Sequence, residues 1–187
     1  MNTQGISKKR VVAFALSMLL IMQQSLTYQV LAASTITNGD GTTINPNGGD
    51  NTWNIRPDAV NGKTGFKEFG KIDLSQGDIL NFIYSYINQS QSGTGNDLTL
   101  VDNLGKIDAF IALVKSGVKI DGIVNALQGV NGALKNDGNL VFISPNGMVV
   151  GASGVLNVGN LSVISPTQTS YDKLSDYLNL PQQSQYY

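Results

Sequence analysis

Apolar residues are arranged along this chain in three ways, and each predicts a different element. Val11–Met22 is a twelve-residue apolar run without a charge. From Trp53 to Phe82, short apolar pieces (Ile55, Ala59-Val60, Phe66, Phe69, Ile72, Leu74, Ile79-Leu80, Phe82) alternate with turn signals at Arg56-Pro57-Asp58, Asn61-Gly62 and Gln76-Gly77-Asp78. Such spacing predicts short strands. In Leu104–Val114 the apolar residues Leu104, Ile107, Phe110-Ile111 and Val114 recur at three- and four-residue steps, with Lys106, Asp108 and Lys115 opposite. That period predicts a short amphipathic helix, closed by Gly117 and flanking the strands. Two segments have almost nothing apolar: residues 33–52, read as a flexible or edge-lying entry segment, and Asn88–Asp97, read as a loop.

The clearest pattern is a repeat. Gly138-Asn139-Leu140-Val141-Phe142-Ile143-Ser144-Pro145 returns as Gly159-Asn160-Leu161-Ser162-Val163-Ile164-Ser165-Pro166, with an offset of 21 and six of eight positions identical. Turn residues at Asn146-Gly147, Ser153-Gly154 and Gly159-Asn160 divide each unit into about three short strands. A unit this small cannot bury its apolar side alone and must stack on the next. The expected fold is all-β, a right-handed, single-stranded, parallel β-helix of the pectin-lyase-like solenoid type. Leu140 would lie over Leu161 and Ile143 over Ile164 as aliphatic ladders inside the coil. Ser144-Pro145 over Ser165-Pro166 would repeat a corner, because proline withholds an N–H from the ladder. An ordinary β-sandwich with a chance repeat is the competing architecture.

At the other end, Lys8, Lys9 and Arg10 precede the apolar run, and Val30-Leu31-Ala32 follows a polar stretch. This order is that of a secretory signal peptide, residues 1–32, cleaved after Ala32 or at the neighbouring Ala33. A twelve-residue run is too short for a bilayer core, which needs about 20 residues, so the processed chain is expected not to span a membrane. Removing the signal leaves nine basic against thirteen acidic residues, net −4. This mildly acidic balance carries no electrostatic footprint for nucleic acid.

The chain has no Cys and no His, and its one Glu is Glu68. No disulfide or thiolate site can form, and the commonest general base and zinc ligand are missing. No cofactor and no catalytic or metal residues are expected. The turn Asn38-Gly39-Asp40-Gly41-Thr42 has the composition of a calcium loop. However, Thr43 stands where the sharp-turn Gly belongs, and Gly49 stands where the closing Glu belongs.

Three stretches carry a family resemblance. Gly138–Gly151 followed by Gly154-Val155-Leu156-Asn157-Val158-Gly159 is similar to the secretion domain of two-partner-secreted exoproteins, typified by filamentous haemagglutinin. That domain carries an Asn-Pro-Asn-Gly-Ile turn after an apolar strand, then an apolar-Asn-Val-Gly strand; here Ser144 replaces the first Asn. Upstream, Asn54-Ile55-Arg56-Pro57, Asn61-Gly62 and Phe66–Leu74 resemble its opening strands, and Ile120–Val124 resembles the strand before the turn. A literal Asn45-Pro46-Asn47-Gly48 lies in the entry segment rather than after a strand and is set aside as coincidence.

The resemblance covers residues 53–167 and implies a non-enzymatic module of a surface adhesin in a two-membrane bacterium. Such a module crosses the periplasm unfolded and is recognised by an outer-membrane β-barrel partner transporter. It then folds outside, seeding a β-helix that meets host or neighbouring-cell surface receptors. Asn139, Ser144, Pro145, Asn146 and Gly147 are the candidate recognition turn. The competing functions are a stand-alone or truncated surface-binding β-helix without a transporter and, less favoured, a polysaccharide lyase or hydrolase. The lyase would need clustered carboxylates, and here the acids are dispersed. In the polar tail, 168–187, Ser170 could cap a short helix bearing Leu174, Tyr177 and Leu178, with Pro181 stopping it. That helix would cover the open end of the last unit.

Overall fold

The protein's structure, a computed structural model, describes residues 32–85, 87–89, 98–100, 107–130 and 133–179. The signal-peptide reading of residues 1–32 falls, but for Ala32, outside the described residues. So does the stretch 90–97 of the expected polar loop. The described chain is built mostly of strands, with one helix.

The strands, in chain order, are β1 (Thr35–Asn38), β2 (Thr52–Ile55), β3 (Ala59–Asn61), β4 (Thr64–Leu74), β5 (Ile79–Ile83), β6 (Ile87–Gln89), β7 (Leu98–Leu100) and β8 (Ala109–Val114). They continue as β9 (Val118–Ile120), β10 (Ile123–Val130), β11 (Ala133–Asn136), β12 (Asn139–Ile143), β13 (Met148–Val150), β14 (Val155–Asn157) and β15 (Asn160–Ile164), ending in helix α1 (Gln168–Asn179).

Three parallel stacks organise them. In the first, β2, β5, β10 and β14 pair in that order, so that Trp53, Leu80, Val124 and Leu156 share one register position. In the second, the first half of β4 pairs with β8, β8 with β12, and β12 with β15, aligning Leu140 with Leu161 and Ile143 with Ile164. In the third, the second half of β4 pairs with β9, and β9 with β13. Between layers the chain advances by irregular amounts. The 21-residue offset of the visible repeat is only the last and shortest step.

Alternate residues of β2, β4, β5, β8, β9, β10 and β12 face a common core. It holds Trp53, Leu80, Phe82, Val124, Phe69, Phe110, Phe142, Ile72 and Ile120, all nearly inaccessible to solvent. Phe82 sits at its centre, edge-on to Phe69, Phe110 and Phe142 at centroid distances of 6.2, 4.9 and 5.8 Å. Such edge-to-face contacts add to the area these rings bury.

Of the helix expected over Leu104–Val114, residues 104–106 lie outside the described residues, and over the rest it is not formed. Residues 109–114 are strand β8, with Phe110, Ala112 and Val114 in the main core and Ile111 and Leu113 on the opposite face. A strand covered on both sides reads as a continuous apolar run, which spacing alone does not separate from a helix. Gly117, the expected helix stop, instead forms the β8–β9 turn with φ +103°.

Helix α1 does the covering. Its cap is Thr167, three residues before the expected Ser170. Thr167 Oγ1 accepts from the Ser170 backbone N–H at 3.3 Å. Tyr171, Leu174 and Leu178 then fall on one face and pack on Leu113, Ile143, Ile111 and Val141. Tyr177, expected on that face, is 60 % exposed. The helix therefore lies on the flank of β8 and β12, and not over the last layer.

The polar entry segment is edge-lying. β1 runs antiparallel to the second half of β4, and β3 antiparallel to the first half. Both occupy the side of β4 away from β8 and β9.

Candidate functional site

The recognition turn expected at Ser144–Gly147 closes β12 onto β13. The Gly147 N–H donates to the Ser144 carbonyl at 3.0 Å. Gly147 has φ +69°, a left-handed conformation that a side chain with a Cβ adopts at a cost. The turn stacks on the β8–β9 turn: Asn146 Nδ2 donates to the Lys115 carbonyl at 3.3 Å, and the Val118 N–H donates to the Gly147 carbonyl at 3.2 Å. Asn146 is exposed, Pro145 and Gly147 are half-buried, and Ser144 is buried with its hydroxyl unpartnered. Asn146 is thus the exposed member of the turn.

Asn139 is structural. Its Nδ2 donates to the Asp108 carbonyl at 2.9 Å and its Oδ1 accepts from Asn160 Nδ2 at 2.7 Å. The Tyr84 hydroxyl, whose pKa burial pushes well above the ordinary value, donates to the Asn139 carbonyl at 2.8 Å. Directly under that ring, Gly138 leaves no room for a side chain: a Cβ would lie 2.5 Å from Tyr84 Cζ.

The expected core ladder is corrected in part. Leu140 belongs to the main core at 1 % exposure. Ile143, three residues on, projects to the other face of β12 and is buried under α1 at 8 %. An odd separation in a strand reverses the face. Leu161 and Ile164 keep the predicted register but are 39 % and 48 % exposed, because β15 is the outermost strand among the described residues.

A side-chain ladder missed in the sequence runs through the first stack. Asn81 Nδ2 donates to Asn54 Oδ1 at 2.9 Å, Asn125 Nδ2 to Asn81 Oδ1 at 2.8 Å, and Asn157 Nδ2 to Asn125 Oδ1 at 2.8 Å. Every amide points the same way. Its signal was present as Trp53-Asn54, Leu80-Asn81, Val124-Asn125 and Leu156-Asn157, an Asn after an apolar residue each time. The steps of 27, 44 and 32 residues between them hid the recurrence.

Charged groups gather in two places. Lys119 lies 2.9 Å from Asp121 and 3.8 Å from Asp73, and Asp73 also pairs with Lys71 at 3.0 Å. The hydrogen bond to Asp121 raises the Lys119 pKa. Glu68, on β4, accepts from Ser175 Oγ of α1 at 2.6 Å and lies 3.4 Å from Lys115 Nζ, fastening the helix. A cleft of about 710 Å³ near the first layer is lined by Asn45, Asn47, Arg56, Asp58 and Lys67 among others, and within it Lys67 Nζ donates to Asp58 at 2.7 Å.

The chain matches no family model, no curated protein and no solved structure.

Among the described residues, no three His, Cys, Asp or Glu side chains gather as a metal site, and no helix is long and apolar enough to cross a membrane. What the arrangement offers is shape: stacked corners displaying Asn146, and ordered strand edges.

Proposed function

We propose that the chain is the secretion and folding module of a two-partner-secreted surface adhesin, exported through the periplasm and recognised by an outer-membrane β-barrel transporter. Outside the cell it folds as a parallel β-helix, right-handed as parallel crossovers nearly always are. The observation that carries this reading is the in-register parallel pairing of successive chain segments on three stacks. Each layer needs only the one before it as a template, which suits a chain emerging from a pore end first. The absence of Cys suits the same route, since no disulfide can lock the chain in an oxidising compartment.

Export into the medium, with and without a co-expressed transporter of this class, tests the proposal. Secretion should require the transporter, and the secreted chain should begin near Ala33. Asn146→Ala should lower secretion several-fold while its lost exposed hydrogen bond costs the folded protein no more than about 1 kcal/mol. Export that is equal without the transporter would refute the reading.

A further inference from the structure

Among the described residues, the last layer of the stacks is open and uncharged. No Asp, Glu, Lys or Arg lies between Asp137 and Asp172, a span that contains all of β12–β15. Leu161 and Val163 share register with the core residues Leu140 and Phe142 and project the same way, yet they are 39 % and 45 % exposed. Val150, in register with the fully buried Ile120, is 45 % exposed. The apolar core therefore reaches the surface at this end. Its backbone is open as well. The Ile164 carbonyl accepts from the Ser144 N–H and so faces β12, which turns the N–H and C=O of Leu161 and Val163 to the free edge of β15. Natural edges of this kind are usually blunted by Lys, Pro or a covering element.

We propose that this end is closed by the same end of a second copy, β15 pairing antiparallel with β15 of its partner about a two-fold axis at Ser162. The free backbone groups dictate the register. Leu161 and Val163 of one copy exchange hydrogen bonds with Val163 and Leu161 of the other, four bonds in all, and the two Ser162 residues form the central non-hydrogen-bonded pair. An isologous contact must be self-complementary, and an uncharged, apolar edge meets itself without repulsion. Head-to-tail growth is blocked, because the opposite edge is already occupied. β3 pairs with Thr64–Phe66 of β4, β1 pairs with Phe69 and Lys71–Asp73 of the same strand, and Asn47 bonds both the N–H and C=O of Asn54 on β2. The contact thus closes at two copies instead of extending into a fibre.

The chain's lack of Cys allows a direct test on the processed full-length protein. The Cα atoms of a central non-hydrogen-bonded pair lie about 4.5 Å apart, within disulfide reach of about 4.4–6.8 Å. Ser162→Cys, an exposed position, should form a covalent dimer on mild oxidation, whereas Thr43→Cys, exposed at the opposite end, should not. Sedimentation should show the unmodified chain as a dimer and Val163→Lys as a folded monomer. A monomer at the highest soluble concentration, open-ended polymers, or equal cross-linking of the two cysteine variants would overturn the proposal. The outcome is independent of whether a transporter exports the chain.

Discussion

At the first layer, Ile36 of β1 is 1 % exposed against β4, whereas at the last layer Leu161 of β15 is 39 % exposed with no strand beyond it among the described residues. Both residues belong to edge strands, and both sit in segments rich in small and polar residues. The difference lies in direction. β1 and β3 run antiparallel to β4, so the first layer ends in strands that do not continue the parallel register. Around them the chain completes its polar contacts: the Trp53 indole N–H donates to the Ile44 carbonyl at 2.7 Å, and Ser34 Oγ donates to Asp78 and accepts from the Ser75 N–H at 2.8 Å. The last layer has β13, β14 and β15 all parallel to their predecessors, and their outer edges remain a copy of every edge inside. One end terminates the pattern and the other preserves it.

The largest expected effect compares two leucines at the same position of the repeat. Leu140→Ala removes a side chain packed on all sides and should cost roughly 2–5 kcal/mol. Leu161→Ala, one strand further out, should cost less than about 1 kcal/mol in the Val163→Lys background, where self-pairing is removed. Denaturant unfolding of the two variants checks this. Equal losses would mean that the last layer is covered after all.

The amide ladder should give a smaller gradient in the same direction. Asn125 donates to the buried Asn81 and accepts from Asn157, so Asn125→Ala strands two groups and should cost about 1–3 kcal/mol. Asn157 makes one such bond at the open end, and Asn157→Ala should cost about 0.5–1.5 kcal/mol. Thermal unfolding in both backgrounds would measure it, and a larger loss at Asn157 would break the comparison.

How much of this was legible beforehand depends on where the signal sat. Residues 138–166 gave away the parallel register because the last step between layers is short and nearly identical in sequence. The earlier steps carry excursions, such as the antiparallel pair β6 and β7, which hide the same periodicity behind variable lengths. β8 has the apolar spacing of a helix because α1, far along the chain, covers its second face. Nothing local in Ala109–Val114 records that partner. The cap was obscure for a related reason: Ile36 is one apolar residue in a polar segment, and its burial comes from a strand of β4 more than thirty residues away. Of the turn, Gly147 and Asn146 behave as their residue types suggest, while Asn139 is held by side-chain bonds to Asp108 and Asn160 and Ser144 is buried with its hydroxyl unpartnered.

The smallest expected effect is one of pH, and it belongs to the capped end alone. The turn after β1 is held by Asp40, whose Oδ1 accepts from the Thr42 N–H at 2.9 Å and from the Thr42 hydroxyl at 2.7 Å. These bonds, the backbone one first, lower its pKa below the ordinary 3.8. A carboxylate whose pKa is lower folded than unfolded contributes stability that is present above the unfolded value and lost as pH falls through the folded one. Protection of the Ile36–Asn38 amides from exchange, corrected for intrinsic rates, should therefore decline as pH drops below about 3.8, and Asp40→Asn should remove that decline. The Leu161–Ile164 amides should show no matching dependence on pH of their own, since no titratable side chain lies between Asp137 and Tyr171. An identical acid response at both ends would show that the cap and the open edge unfold as one cooperative unit, and the contrast between them would then be one of static structure only.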